Sequence, residues 1–281
     1  MEKILVTTRE LADHLDDPDW IVFDTRHDLM DPAKGRKAYD AGHIPGAHFV
    51  SLDDDLSGAK TGKTGRHPLP DLQQFAAKMA AFGVAPGKQV VVYDDVNGNF
   101  AVRLWWMLRW LGHDKAALLD GGYPQWMQEL HPLSSAEPAS QAGAFHPRPH
   151  LGATVDVHYV ERFREDAKVK LIDARAPERY SGALEPLDPV GGHIPGAVNR
   201  FWKQNLQADG RFKPAGELRA EFDALLAGAD PAQVVHSCGS GVTACHNLFA
   251  MELAGLPGGR LYPGSWSEWC SDPSRPVARN T

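Results

Sequence analysis

Cysteine is scarce in this sequence: Cys238, Cys245 and Cys270 are the only three in 281 residues, all in the last quarter of the chain. An odd, low count without C-x-x-C spacing excludes a disulfide framework and supplies no zinc-ligand set. No apolar run approaches the ~20 residues that span a bilayer. The opening MEKILVTTRE lacks the apolar segment and small-residue cleavage site of a secretory signal. A Gly-x-x-x-x-Gly-Lys phosphate loop is missing, and the 13 histidines are scattered rather than spaced as ligands. Positive charge is not in excess either, since the formal net charge is −7, which argues against nucleic acid or an anionic membrane as partner. These absences lead to the expectation of a cytoplasmic protein with no metal, no cofactor and no nucleic-acid or membrane partner.

What remains is an ordinary globular composition, 43% hydrophobic and 23% charged, in a chain long enough for two domains. The chain also repeats itself. His43-Ile44-Pro45-Gly46-Ala47 recurs as His193-Ile194-Pro195-Gly196-Ala197, and Phe23-Asp24-Thr25-Arg26 recurs as Ile172-Asp173-Ala174-Arg175. The segment from Leu118 to Trp126 parallels that from Leu261 to Trp269. Three ordered matches at nearly constant offset indicate a tandem duplication. Residues 131–151, with four prolines and the run Ser134-Ser135-Ala136, have linker composition. The expected division is therefore residues 1–130, a linker over 131–151, and residues 152–281.

Each copy alternates short β-rich runs with helical patterns. Trp20 to Phe23 and Val169 to Ile172 read as strands that end at an aspartate. Gln89 to Tyr93 and Gln233 to His236 read as near-continuous apolar strands, the pattern of a parallel sheet covered on both faces. Helical stretches follow, from Phe100 to Leu111 and from Thr243 to Ala254, with Gly112 and Gly255 where a helix would end. The fold class is α/β, with a mostly parallel sheet flanked by helices in each copy. Ligands in such sheets bind at the carboxyl ends of the strands.

At one of those ends, Ser237-Cys238-Gly239-Ser240-Gly241-Val242-Thr243-Ala244 joins a strand to a helix. Its glycines let amide N–H groups turn inward, and a thiolate facing such a nest at a helix N-terminus is stabilised by amide dipoles. Cys238 thus reads as a nucleophile, whereas Cys245 and Cys270 read as small buried hydrophobes. In the first copy, the spacing of the Trp126/Trp269 pair carries Cys238 back to Asp95 and Gly241 back to Gly98: the loop survives without its nucleophile. A cysteine phosphatase needs an arginine six residues after the cysteine to clamp phosphate. Ala244 stands there, which excludes that chemistry and counts equally against an arsenate- or phosphate-handling enzyme.

The paired His-Ile-Pro-Gly segments, the Cys-Gly-Ser-Gly-Val-Thr loop at 238–243 and the degenerate first copy resemble the tandem rhodanese-type sulfurtransferases. The resemblance covers the whole chain. It implies two rhodanese-like domains, the first inactive, and a ping-pong reaction in which Cys238 carries sulfur as a persulfide. It further implies a small-molecule donor, 3-mercaptopyruvate or thiosulfate, and a cyanide, thiol or thioredoxin-like acceptor. Gly239 and Ser240 resemble the mercaptopyruvate enzymes, in which the serine joins a histidine and an aspartate from the first domain. His43 and Asp31 match these by position, although a motif present in both copies is equally read as a structural turn. Arg179 matches a donor-binding arginine, with Gly239, Gly241, Val242 and Thr243 forming the rest of the donor cradle. A second donor arginine, expected about nine residues later, is missing: that stretch runs Glu185-Pro186-Leu187-Asp188-Pro189. Asp173 with Arg175, and Asp24 with Arg26, recur in both copies and read as architecture. The alternative to catalysis is a non-enzymatic persulfide carrier or interaction module of the same fold.

Overall fold

A computed structural model describes residues 3–139 and 141–279. Residue 140 of the expected linker and the outermost positions of the two expected domains lie outside the described residues. The chain divides into two compact units. The first comprises Met1–Gly58, Leu69–His150 and Asp209–Arg211; the second comprises Ala59–Pro68, Leu151–Ala208 and Phe212–Thr281.

In the first unit, strands β1 (Leu5–Val6), β2 (Trp20–Asp24), β3 (Ala47–Phe49), β4 (Gln89–Tyr93) and β5 (Ala116–Leu119) form one sheet in the order β1-β5-β4-β2-β3. Every pairing is parallel. β2, β4 and β5 are buried almost throughout, as their unbroken apolar runs require of central strands covered on both faces. Helix Ala101–Trp110 buries eight of its ten residues. One core cluster gathers Leu11, Ile44, Val91 and Trp126. Each such side chain, fully removed from water, contributes about 1.5–3 kcal/mol.

The second unit repeats this plan with four parallel strands: β6 (Lys170–Asp173), β7 (Val198–Asn199), β8 (Val234–Ser237) and β9 (Arg260–Leu261), in the order β7-β6-β8-β9. Two apolar clusters pack in it, one around Leu171, Tyr262, Trp266 and Trp269, the other around Phe222, Val234 and Met251. Trp105, Trp126, Trp266 and Trp269 are all buried and fill the cores.

Two features of the division differ from the sequence-based boundaries. Among its described residues the linker has no regular helix or strand before residue 151, yet it is tied to the first unit: the Gly143, Arg148 and His150 amides donate to the carbonyls of Ala80, Leu111 and Trp110. More consequentially, residues 59–68, embedded in the first sequence copy, belong to the second unit. No helix among the described residues is long and apolar enough to cross a membrane.

Candidate functional site

β8 ends at Ser237, and Cys238 begins the turn into helix Ala244–Leu253. The turn is held from below by the neighbouring loop. The Cys238 amide donates to Ser265 Oγ at 3.1 Å, and the Trp266 and Ser267 amides donate to the Cys238 and Gly239 carbonyls at 3.0 and 2.9 Å. Gly241 sits at φ +76°, and a Cβ there would lie 2.3 Å from the Pro263 carbonyl oxygen. Left-handed backbone and close approach both demand glycine at this position. Cys238, Ser240 and Val242 are buried, and Thr243 starts the helix.

The first unit contains the same turn with different chemistry. Asp173 pairs with Ser237 across β6 and β8 just as Asp24 pairs with Tyr93 across β2 and β4. The Tyr123 amide donates to the Asp94 carbonyl as Trp266 does to Cys238. Cys238 therefore corresponds to Asp94, not to Asp95. The first loop is one residue longer before its own left-handed glycine, Gly98 at φ +84°, and a constant offset cannot reveal an insertion inside a loop. The Asp94 carboxylate is fully buried and accepts four amide N–H groups, from Val96, Gly98, Phe100 and Ala101, at 2.7–2.9 Å. Burial pushes this carboxyl above its ordinary range, and the amides oppose the shift. This turn is an anion cradle, and in the first unit it holds its own anion.

Beside Cys238, Ser240 Oγ shares a hydrogen bond of 2.7 Å with Nδ1 of His67, a residue buried within the second unit. His43 does not take that place. Its ring stacks on Tyr39 at 3.8 Å, and its nitrogens face the carbonyls of Tyr39 and Ala136 at 2.8 and 3.1 Å. His193 repeats this arrangement on Tyr180, and each histidine's main chain pairs with a later segment, at Ser134 and Ala278. The His-Ile-Pro-Gly motif is thus a structural turn in both copies. Asp31 is exposed on the first unit, 4.0 Å from Lys37. Asp24 with Arg26 and Asp173 with Arg175 form buried bidentate pairs that reach on to the Gly42 and Gly192 carbonyls. They brace the strand ends against those turns.

Arg179 does face the cysteine loop. A Cβ on Gly239 would stand 3.4 Å from both its terminal nitrogens, and 2.9 Å from Nη2 of Arg66. Arg179 is chelated by Glu185 (2.7–3.1 Å) and contacts Asp188 at 3.2 Å; Arg66 also pairs with Asp188.

Arg66 and His67 were not among the expected site residues, although Gly65-Arg66 recurs as Gly210-Arg211 in the corresponding connection of the second copy, where Phe212 stands in the place of His67. Length was a further signal. Residues 50–71 contain no helix or strand, and so long an irregular stretch in a compact domain is commonly functional.

The model of the rhodanese-like domain matches twice, at residues 7–129 and 156–272. The chain is 48% identical over 276 residues to a probable 3-mercaptopyruvate sulfurtransferase of Pseudomonas aeruginosa, covering 98% of this chain and 97% of the relative. It is 33% identical to the thiosulfate sulfurtransferase of Mus musculus, covering 95% and 92%. The crystal structure of SseA from Escherichia coli, described as a 3-mercaptopyruvate sulfotransferase, superposes with a TM-score of 0.81 at 33% identity, over 94% of this chain and 99% of that one. With the domain present twice and full-length kinship to enzymes of this kind, the chain belongs to the rhodanese family and is a sulfurtransferase.

Proposed function

We propose that this sulfurtransferase takes sulfur from 3-mercaptopyruvate onto Cys238 and passes it to a thiol, cyanide or thioredoxin-like acceptor. The Cys238 thiolate attacks the donor sulfur, the carbon–sulfur bond breaks, and its electron pair leaves on carbon as the enolate of pyruvate, which takes up a proton. The products are a Cys238 persulfide and pyruvate. An acceptor nucleophile then attacks the outer sulfur and expels the Cys238 thiolate; with cyanide the product is thiocyanate. The loop cradle suits the persulfide anion, because the same turn in the first unit holds the Asp94 carboxylate with four amides. Three free cysteines and the absence of disulfides among the described residues fit a reducing cytoplasm with thiol acceptors.

The observation that carries the donor assignment is the Ser240–His67 pair, 2.7 Å apart and buried beside Cys238. Mercaptopyruvate needs protons handled: its own thiol must lose one and the leaving enolate must gain one. Thiosulfate releases sulfite without either transfer. A serine–histidine pair is therefore useful to the first donor and idle with the second. Ser240→Ala should lower kcat/KM for mercaptopyruvate about 10²-fold while leaving that for thiosulfate within about threefold, in a cyanide assay with each donor. Equal losses with both donors, or a wild-type preference for thiosulfate, would overturn the donor assignment.

A further inference from the structure

The loop that follows β9 carries a buried serine in a conformation that serine does not favour. Ser265 is fully buried and sits at φ +52°, in the left-handed region, where a Cβ crowds the following carbonyl. The first unit shows what this position takes when only the turn matters. The Tyr123 amide reaches the Asp94 carbonyl as the Trp266 amide reaches the Cys238 carbonyl, so Ser265 corresponds to Gly122, at φ +57°. Glycine adopts that backbone at no steric cost. A Cβ on Gly122 would also stand 2.6 Å from the Asp94 carbonyl oxygen, so the first unit has no room for a side chain there. The second unit accommodates one, and does so on a strained backbone.

The side chain that occupies this position is engaged at both of its hydrogen-bonding functions. Ser265 Oγ accepts the Cys238 amide at 3.1 Å and donates its proton to the Tyr262 carbonyl at 2.9 Å. A hydroxyl has a single proton to give. With that proton committed to Tyr262, the oxygen is a fixed acceptor for Cys238. Tyr262 is pinned in turn, because its amide donates to the His236 carbonyl at 2.9 Å. The bonds close a circuit that leaves β8 at His236, passes through Tyr262 and Ser265, and returns to the main chain at Cys238. The Cys238 carbonyl is held by the Trp266 amide at 3.0 Å. Both main-chain groups of Cys238 are therefore tied to Ser265 and Trp266, and its side chain alone is left to turn.

We propose that Ser265 is a positioning residue for sulfur transfer: its hydroxyl fixes the main chain of Cys238 so that the sulfur stays in the amide-lined turn as thiolate and as persulfide. The proposal rests on Cys238 as the nucleophile. In each cycle that side chain gains one sulfur and loses it again, and both displacements need the attacked sulfur in line with its nucleophile. A misplacement of about 1 Å costs about 10²-fold in rate. The main chain must therefore hold still while the side chain lengthens and shortens. A serine kept in the left-handed region, where the first unit has glycine, is the local strain that such a constraint retains.

The test separates the hydroxyl from the backbone in the full-length protein. Ser265→Gly and Ser265→Ala both delete the hydroxyl, but only alanine keeps a Cβ in the left-handed conformation. In steady state, kcat/KM should fall about tenfold or more in both variants, for each sulfur donor and for cyanide, because one main chain serves both half-reactions. The two variants should agree within about twofold. Ser265→Gly should nevertheless unfold at a higher urea concentration than Ser265→Ala, followed by tryptophan fluorescence. A merely structural serine would make activity follow stability and leave the glycine variant close to wild type. Wild-type kcat/KM in Ser265→Gly, or activity that rises from the alanine to the glycine variant in step with the urea midpoint, overturns the proposal. Peptide mapping of the wild-type protein after donor treatment keeps the two readings apart. Sulfur added at a residue other than Cys238 removes the nucleophile, and this proposal with it. Sulfur on Cys238 together with a fully active Ser265→Gly variant removes this proposal alone.

Discussion

The two strand-to-helix turns of this protein stand at equivalent strand ends and differ by one residue in length and in what fills them. At the end of β4 the cradle closes on Asp94, whose carboxylate collects four amides. At the end of β8 the corresponding position is Cys238, with Ser240–His67 and the Arg66–Arg179 fork around it. An anion-binding nest has a use in either case. Filled by its own chain, it is a structural joint. Given a sulfur nucleophile, it becomes a place where a negative charge can come and go. The difference teaches that a cradle of this kind can be filled by a carboxylate of the chain itself, as Asp94 fills it in the first unit.

The comparison can be broken most severely at the nucleophile. Cys238→Ser should lower sulfur transfer at least about 10³-fold with either donor, and intact-mass analysis should show no added sulfur after donor treatment. Retained turnover would place the nucleophile elsewhere and make the two turns functionally alike. In the first unit the effect should be on stability. Asp94→Ala strands four buried amides and should cost about 3–5 kcal/mol in urea unfolding followed by tryptophan fluorescence. A loss below about 1 kcal/mol would mean that those amides find other partners and that the carboxylate is incidental.

A subtler contrast lies two residues before Asp94 and Cys238, on the strands themselves. His236 on β8 occupies the place of Val92 on β4, as the pairings Ile172–His236 and Phe23–Val92 show. His236 is fully buried, neither ring nitrogen has a partner among the described residues, and burial pulls its pKa down to about 3. The folded state thus holds His236 neutral while the unfolded chain takes up a proton near pH 6.5. Stability is full above that pH and falls as pH drops toward 3, by about 1.4 kcal/mol per unit. His236→Val should flatten this acid limb in urea titrations between pH 6.5 and 4. An unchanged slope would assign the acid sensitivity to other groups.

The parts of the fold that follow local rules were legible in the sequence. Near-continuous apolar runs at Gln89–Tyr93 and Gln233–His236 mark central parallel strands because strands covered on both faces have little polar side to show. Gly241 marks the left-handed turn that a nucleophile loop needs. Arg179 was named through the family resemblance, not through any spacing rule, and the structure sets it beside Gly239. His43 is held in a structural turn for a definite reason. A motif present in both copies reports what the copies share, and that is the turn braced by Arg26 and Arg175 through the Gly42 and Gly192 carbonyls. Asp95 missed the true counterpart by one residue because insertions fall in loops, where backbone length is cheap.

The sequence by itself determined that Cys238 lies in an amide-lined turn between a buried strand and a helix, since propensity and spacing act over a few residues. Only the tertiary structure decided what surrounds the thiol. His67 meets Ser240 across 173 positions, and Arg66 meets Asp188 across 122. Contacts that distant depend on where folding carries each segment, and no local pattern around residue 66 encodes its arrival beside Gly239.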